Sequence, residues 1–262
     1  MGILAHTLLH KFLYQTGYLP KGLISHMNDH KFAFIICTNN TLLLDECLHY
    51  IDHLIVPEGF EAELLTIPDA PCMTQGYNEA MLTSDARYKI YMHQDVFILN
   101  RNILGDLLAI FASDPQIGMV GMVGYEKVAA DGIMWHTDRT GSIYMRHPQI
   151  PYPALSDYRY NITDGFEYAA EIDGFFMATC HDLPWDTDKL DGWDFYDAFQ
   201  SIRFLLEGYK IAVPCQRHPW CMHDDDKVLS LSQYDHYRQL FLQTYHQFLG
   251  KSHTEILART TY

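Results

Sequence analysis

An alternation between strand-like and helix-like segments over residues 31–92 constrains the fold more than any other feature of the sequence. Apolar runs rich in β-branched and aromatic residues predict strands at residues 31–37, 62–67 and 88–92. Apolar residues at helical spacing predict helices at residues 42–54 and 73–84. Because strands that alternate with helices pair in parallel, this pattern predicts an α/β fold with ligand chemistry at the carboxyl ends of the strands.

The remainder of the chain continues this pattern less regularly. The patterning predicts helices at residues 104–112, 195–206 and 234–249, and strands at residues 117–123, 171–179 and 209–213. Residues 124–163 are rich in Gly, Pro, Tyr and His without a clear period, so we expect a long loop region on the substrate side. We expect an N-terminal arm at residues 1–30, one domain at 31–228, and a C-terminal helix packed on that domain at 229–262.

The charge balance limits the partners of the chain. The sequence has 18 Lys and Arg residues against 33 Asp and Glu residues, a formal net charge of −15. Nucleic acids and anionic membranes are polyanions that require a basic surface, so we expect neither as a partner. A hydrophobic content of 48% excludes a disordered chain. If an acidic protein binds a phosphate-bearing ligand, a divalent cation is the expected source of neutralising charge.

The sequence also predicts the compartment. No run approaches the roughly 18 consecutive apolar residues of a membrane span. The N-terminal segment lacks the basic region of a secretory signal, and the six cysteines are widely spread without a CxxC pair. We therefore expect a cytoplasmic protein with reduced thiols and no transmembrane segment.

The sequence His93-Gln94-Asp95 directly follows the third predicted strand and precedes another apolar run. A carboxylate at the end of a buried strand is costly unless it is paired, hydrogen-bonded or bound to a metal. The residues alone leave two readings open, a ligand-binding Asp95 and a simple turn aspartate.

Several sequence blocks, taken in order, resemble the GT-A-fold glycosyltransferases, in particular bacterial glycosyltransferase-like proteins related to glycosyltransferase family 2. The blocks are residues 34–39 (FIICTN), 76–80 (GYNEA), 88–98 (YKIYMHQDVFI), 117–124 (IGMVGMVG), 172–177 (IDGFFM), 192–197 (GWDFYD), Arg203 and 208–211 (GYKI). The resemblance implies a GT-A fold, that is, a nucleotide-diphospho-sugar transferase fold with a mixed, mostly parallel central sheet flanked by helices.

The resemblance implies a metal site on two segments. The family's Asp-x-Asp motif holds Mn²⁺ or Mg²⁺ on the donor diphosphate, and here Asp95 matches its final carboxylate while His93 replaces the first. Imidazole is a poor ligand for Mg²⁺, so Mn²⁺ is favoured. The family often supplies a second ligand from a late loop, where His223 fits and His218 competes. A zinc cluster of Cys215, His218, Cys221 and His223 is a less favoured reading of the same segment.

The implied catalytic base is Asp197, which matches the Asp of the family's Glu-Asp pair, with Tyr196 in place of the Glu. From the helical pattern, Asp197 lies nearly opposite the apolar stripe and is expected to face away from the packed side. The helix N-terminus is expected to keep it ionised. A first-turn carboxylate without a catalytic role is the alternative.

The resemblance also implies contacts with both substrates, the nucleotide-sugar donor and the acceptor. Nucleotide-sugar contacts are implied for Thr38, Asn39, Asp69, Tyr77, Asn78, His93 and Gln94, and acceptor-side roles for Asp173, Trp193 and Asp194. Without the resemblance, Thr38 and Asn39 read as turn residues, Tyr77 as core, Asn78 as a helix-side hydrogen bond and Asp173 as a strand-end turn residue.

The implied function is a metal-dependent, inverting glycosyltransferase of glycan or polysaccharide biosynthesis. It would move a sugar from a nucleotide-diphosphate sugar, with a UDP-sugar favoured, to a hydroxyl of a glycan or other acceptor. The departures at His93 and Tyr196 leave open a catalytically inactive nucleotide-binding relative. A metal-dependent nucleotidyltransferase is a third reading, disfavoured because the chain lacks a Gly-rich phosphate loop with a lysine.

Overall fold

The computed structural model describes residues 27–146, 153–158, 164–224 and 233–259. The strands are β1 (Asn28–Thr38), β2 (Glu61–Pro68), β3 (Ala86–Met92), β4 (Val96–Ile98), β5 (Ile117–Gly121), β6 (Val123–Tyr125), β7 (Arg139–Met145), β8 (Ala154–Tyr158), β9 (Phe166–Ala169), β10 (Glu171–Ile172), β11 (Phe176–Thr179), β12 (Lys210–Pro214) and β13 (Cys221–His223). The helices are α1 (Thr41–Asp52), α2 (Met73–Thr83), α3 (Ile103–Ser113), α4 (Tyr196–Leu206), α5 (Tyr234–Tyr245) and α6 (His253–Leu257).

A seven-stranded sheet in the order β2-β1-β3-β11-β5-β12-β9 forms the centre of the fold. The pairs β1–β2, β1–β3 and β5–β12 are parallel, while β11 pairs antiparallel with β3 and β5, and β9 pairs antiparallel with β12. Residues 32–36 of β1 are fully buried, as expected of a central strand covered on both faces. Five of the seven strands therefore run in one direction, and β11 and β9 run in the other. The predicted β-α-β-α-β unit and the mixed, mostly parallel sheet are confirmed.

A second sheet corrects the prediction of a long loop over residues 124–163. Its order is β10-β6-β7-β13-β4, with β8 paired to β7. Three of its strands, β6, β7 and β8, lie where the loop was expected. At Gly141 (φ 121°), a Cβ would collide with the backbone of Met122 in the neighbouring segment, so the strands cross closely at a glycine. Glycines of this kind hide the strand pattern from a reading of apolar periodicity.

Two predicted strands are each divided between the sheets. The run predicted at residues 117–123 ends in the first sheet at Gly121, and the second sheet takes up Val123. The run predicted at residues 171–179 breaks at Asp173-Gly174, between β10 in the second sheet and β11 in the first. Both halves of each run are buried, so the apolar pattern continues across the break. The second break places Asp173 at the junction of the two sheets.

The C-terminal segment packs against the start of α4. Phe241 of α5 lies with its ring centroid 5.6 Å from those of Phe195 and Phe199. The predicted helix at residues 234–249 ends at Tyr245 and continues as a 3₁₀ turn at His246–Phe248. The short α6, which begins with a capping box of Ser252 and Glu255, was not predicted. Most of the predicted N-terminal arm lies outside the described residues.

All six cysteines, which lie in described segments, are free thiols, as expected. Among the helices of the described ranges, none combines the length and the apolar character that a membrane crossing requires.

Candidate active site

The turn between β3 and β4 presents His93, Gln94 and Asp95 at the carboxyl end of a central strand. The His93 N–H donates to the carbonyl of Phe175, and the Val96 N–H donates back to the carbonyl of His93 at 3.3 Å. Strand β4 then enters the second sheet and pairs antiparallel with β13, where Val96 lies opposite His223. This pairing brings a late segment of the chain next to Asp95.

His93, Asp95 and His223 form a cluster of three metal-ligand side chains. Asp95 Oδ1 lies 3.4 Å from His223 Nε2 and 4.0 Å from His93 Nδ1, and the two histidine nitrogens are 3.5 Å apart. The side chains are 27%, 21% and 13% exposed for His93, Asp95 and His223, so solvent reaches the cluster. The predicted pair Asp95 and His223 is therefore brought together, with His93 beside it.

The donor set of this cluster fits a divalent cation. Asp95 Oδ1 is buried and lies within ion-pair distance of His223 Nε2 (3.4 Å), but it makes no hydrogen bond of good geometry in the described part of the chain. A buried carboxylate oxygen without a good hydrogen bond is costly unless a cation compensates it. Burial acts to raise the pKa of Asp95, but the contact and charge of His223, with the charge of His93, outweigh burial and lower the pKa to about 2. The carboxylate is thus ionised across the neutral range and available as a ligand.

The competing ligand sets in the late segment are not assembled. His218 is exposed, whereas Cys221 is fully buried. Within the described ranges, which include all four residues of the alternative zinc cluster, the group His93, Asp95 and His223 is the one set of three or more candidate ligands close enough to share an ion. The structure therefore favours His223 over His218.

Tyr196 connects the cluster to helix α4. Its hydroxyl lies 2.5 Å from Nε2 of His93, on the side of the imidazole away from Asp95 and His223. Tyr196 is buried, and the preceding Phe195 adopts a left-handed backbone conformation (φ 64°). That conformation costs a non-glycine residue about 1–2 kcal/mol, and it starts α4 directly at Tyr196 and Asp197.

Asp197 is enclosed by backbone donors at the start of α4. Its Oδ1 accepts from the N–H of Ala198 at 2.8 Å, and its Oδ2 accepts from the N–H of Gly174 at 2.9 Å. Burial, followed by the negative charge of Asp173, raises the pKa of Asp197 to about 7, although the backbone donors act in the opposite direction. A carboxyl with a pKa near neutrality is well matched to general base catalysis.

One expectation about Asp197 is wrong. Asp197 is one of the three α4 residues that are not buried, with Arg203 and Leu206, although the helix also buries polar residues such as Gln200 and Ser201. The helix N-terminus does donate to the carboxylate, but it does not hold the pKa low because desolvation is the larger effect.

Gln94 fixes the turn that follows β1. Its Oε1 accepts from the Thr38 hydroxyl at 2.8 Å and from the backbone N–H groups of Asn39 and Asn40 at 3.1 and 3.0 Å. Its Nε2 donates to the Asn39 side chain at 2.8 Å. Asn40 then caps α1 by accepting from the N–H groups of Leu42 and Leu43. Gln94 therefore holds the β1–α1 turn against the β3–β4 turn.

An open cleft of about 220 Å³ joins these elements. Five of the predicted nucleotide-sugar and metal residues line it, together with Trp193, whose side chain is 44% exposed. The lining residues are Cys37, Thr38, Asn39, Met73, His93, Gln94, Asp95 and Trp193. Cys37 and Met73 were not predicted, because apolar residues in strands and helices give no signal that separates a cleft wall from the core.

Two predicted nucleotide contacts are corrected by the structure. Tyr77 is completely buried among Tyr91, Trp185 and Tyr196, so its side chain contacts no ligand in the cleft. The side chain of Asn78 makes two hydrogen bonds with the Trp185 backbone. It donates to the carbonyl and accepts from the N–H, each at 2.9 Å. Tyr77 therefore packs in the core and Asn78 makes a helix-side hydrogen bond, which are the alternatives to ligand contact that the sequence left open.

The other predicted residues, Asp69, Asp173 and Asp194, are not among the residues that line the cleft. Asp69 is exposed after β2, with φ 51°, and its N–H donates to the Thr38 carbonyl at 3.0 Å. Asp173 accepts from the Tyr125 hydroxyl at 3.4 Å. Asp194 is half-buried, and burial raises its pKa.

Several solved structures share this fold. Residues 1–349 of S. aureus TarS match with a TM-score of 0.54 and 12% identity over 88% of this chain and 70% of that chain. The same TarS segment in complex with UDP-GlcNAc matches with a TM-score of 0.52, 12% identity and coverage of 88% and 71%. The mannosyltransferase PcManGT from Pyrobaculum calidifontis, in complex with GDP-Man and Mn²⁺, matches with a TM-score of 0.52, 13% identity and coverage of 92% and 73%.

These likenesses confirm the GT-A fold expected from the sequence blocks. No curated protein sequence matches the chain. A family model described as glycosyltransferase like family matches residues 33–245, which is most of the 262-residue chain. With this match, the enzyme class expected from the sequence is confirmed at the level of the family. The chain belongs to the glycosyltransferase-like family.

Proposed function

We propose that the chain is a divalent-metal-dependent, inverting glycosyltransferase that moves a sugar from a nucleotide-diphosphate sugar to an acceptor hydroxyl. The observation that carries the proposal is the cluster at the end of β3, where Asp95 Oδ1 is buried without a hydrogen bond of good geometry in the described chain, 3.4 Å from His223 Nε2. Asp95 and His223 would hold the cation, which supplies positive charge to the diphosphate leaving group. In a chain of net charge −15, that charge replaces a basic clamp.

The donor occupies the cleft in this proposal. Thr38 and Asn39, held by Gln94, offer polar groups to the nucleoside, and exposed Asp69 lies beside Thr38. The exposed Trp193 offers an aromatic face to a sugar ring. The complexes of similarly folded proteins with UDP-GlcNAc and with GDP-Man and Mn²⁺ support a nucleotide-sugar donor and a Mn²⁺-type ion. We favour a UDP-sugar donor and an acceptor hydroxyl of a glycan.

Asp197 acts as the general base. Its carboxylate takes the proton of the acceptor hydroxyl while the acceptor oxygen bonds to the anomeric carbon. The bond between that carbon and the diphosphate oxygen breaks, and its electron pair leaves with the nucleoside diphosphate. A single displacement of this kind inverts the anomeric configuration. The pKa of about 7 places Asp197 where both proton uptake and release are accessible near neutral pH. Asp173 and Asp194 lie on the acceptor side.

Nucleoside diphosphate release from a panel of UDP-, GDP- and CDP-sugars, with and without Mn²⁺, tests the proposal. We expect turnover of one donor class in Mn²⁺, a loss of about 10²–10⁴-fold in Asp197→Asn, and loss of metal-stimulated turnover in Asp95→Ala. The matched control is Asp188→Asn, an exposed aspartate in the loop before α4. Normal turnover in both site variants would overturn the assigned roles. Metal-dependent nucleotide binding without turnover of any donor would instead identify a catalytically inactive binding protein.

A further inference from the structure

Two departures from the family pattern contact each other in the structure. His93 replaces the first carboxylate of the acidic motif, and Tyr196 replaces the Glu that precedes the base. The two residues are distant in sequence, yet the Tyr196 hydroxyl lies 2.5 Å from His93 Nε2. The hydrogen bond joins these two replacements into one structural unit.

The geometry of His93 decides what this unit can do. With Nε2 engaged by Tyr196, the other ring nitrogen, Nδ1, lies 4.0 Å from Asp95 Oδ1 and 3.5 Å from His223 Nε2. A neutral imidazole has one N–H and one lone pair. When Nε2–H donates to the Tyr196 oxygen, the lone pair of Nδ1 faces the centre of the cluster. Metal-binding histidines commonly donate their second N–H to a partner in this way, which fixes the ring and its tautomer.

Tyr196 is held firmly enough to impose this orientation. It is 4% exposed, and its ring makes an edge contact with Tyr77 at 5.9 Å between centroids. Its hydroxyl lies against Gly174, where a Cβ would collide with the tyrosine oxygen. The N–H of the same glycine donates to Asp197. The Tyr196 hydroxyl is therefore held in one position, between the β10–β11 turn and His93.

We propose that His93 is the third protein ligand of the metal site and that Tyr196 is its positioning residue. The resulting set of two imidazoles and one carboxylate favours Mn²⁺ and later first-row ions over Mg²⁺, which prefers oxygen ligands. This inference rests on the metal site of the proposed function. It adds a ligand that the family's acidic motif does not supply and a selectivity that follows from it.

Mn²⁺ titration calorimetry without nucleotide tests the positioning role. Loss of a hydrogen-bond partner behind a metal ligand typically costs about 10–100-fold in metal affinity, and we expect a loss in this range for Tyr196→Phe. The matched control is Tyr77→Phe, which removes a hydroxyl from the same buried aromatic group. That hydroxyl has no hydrogen-bond partner in the described chain, so Mn²⁺ affinity should be unchanged. Because Tyr196 acts through His93, the double variant His93→Ala/Tyr196→Phe should bind Mn²⁺ no more weakly than His93→Ala.

Two further measurements address His93 directly and do not depend on how well Tyr196→Phe folds. Electron spin-echo spectra of bound Mn²⁺ should show nitrogen coupling from two imidazoles in the unmodified chain and from one in His93→Ala. His93→Asp restores an all-carboxylate motif, and we expect it to shift the ratio of Mn²⁺ to Mg²⁺ affinity toward Mg²⁺.

The possible results distinguish a failure of this inference from a failure of the proposed function. If the unmodified chain binds Mn²⁺, Asp95→Ala abolishes binding, and His93→Ala retains full affinity and both nitrogen couplings, His93 is not a ligand and the inference is wrong while the metal site stands. If His93→Ala weakens binding but Tyr196→Phe and Tyr77→Phe behave alike, the positioning role is wrong. If the unmodified chain binds neither Mn²⁺ nor Mg²⁺, both this inference and metal dependence fail.

Discussion

The backbone N–H of Gly174 donates a hydrogen bond of 2.9 Å to the carboxylate of Asp197. This bond joins the start of α4 to the turn between the two sheets, and the same turn carries Asp173. The candidate base is thus held by the junction of the sheets, close enough to Asp173 for that charge to raise its pKa.

The pH dependence of turnover should report the protonation of Asp197. With a pKa of about 7 in the free protein, the base form gains population as pH rises through neutrality. We expect kcat/KM for the donor and acceptor pair to rise with an apparent pKa near 7 and then level off. A profile that is flat from about pH 5 to pH 8 would mean that another group is the base.

Deprotonation of Asp197 should raise turnover but lower the stability of the folded state. The folded-state pKa is raised above the ordinary value of 3.8, so the folded state holds its proton more tightly than the unfolded chain. The stabilisation from that proton is fully present below about pH 4, declines as pH rises and is lost above about pH 7. Asp197→Asn carries no ionisable group, so its melting temperature relative to the unmodified chain should increase between about pH 5 and pH 8. A difference that is constant or decreases over this range would contradict the raised pKa.

Gln94 should support both the fold and donor binding. Gln94→Ala removes four hydrogen bonds to the β1–α1 turn and leaves the Thr38 hydroxyl and two backbone N–H groups without their acceptor. We expect about 1–3 kcal/mol of lost unfolding free energy and a raised donor KM, measured by denaturant titration and steady-state kinetics. Gln75→Ala, an exposed glutamine on α2, is the control. An unchanged donor KM in Gln94→Ala would show that Gln94 does not support donor binding.

Trp193 should contribute to sugar binding but little to the stability of the fold. Its side chain is 44% exposed on the cleft, so Trp193→Ala should change stability little. Loss of an aromatic contact worth about 0.5–1.5 kcal/mol weakens binding by up to about tenfold. We expect that loss for a sugar-bearing ligand and little change for the nucleoside diphosphate alone. Leu82→Ala, a residue 50% exposed on α2, controls for loss of surface apolar area. Equal effects on both ligands would place Trp193 at the nucleotide.

The first half of the fold was predictable because its sequence pattern is regular. The five elements from β1 to β3 alternate cleanly, and their predicted bounds differ from the observed ones by at most three residues. The second sheet was not predictable in this way. Glycines interrupt two of its strands, Gly124 in β6 and Gly141 in β7, and β8 has only five residues. The further partners of β6 and β7, which are β10 and β13, come from distant parts of the chain. Pairing between distant segments leaves no periodicity in any one of them.

The candidate site was predictable in part. Asp95 and His223 could be placed on strand ends from the sequence blocks, and the structure brings them within 3.4 Å. The contact between His93 and Tyr196 could not be predicted, because it depends on how α4 meets β3 across the sheet. The raised pKa of Asp197 was missed for a similar reason, since burial by distant elements decides it. Sequence patterns identify residue types at strand ends, but not their desolvation.

Metal-dependent nucleotide binding is tested most directly by the calorimetric affinity for UDP and for GDP, measured in Mn²⁺ and in chelator, for the unmodified chain and for Asp95→Ala. We expect the unmodified chain to bind one of these nucleotides in Mn²⁺ and to lose that binding in chelator, and we expect Asp95→Ala to show no difference between the two conditions. Equally tight nucleotide binding in chelator and in Mn²⁺ would contradict the claim that the cluster of His93, Asp95 and His223 holds the cation on which the diphosphate depends.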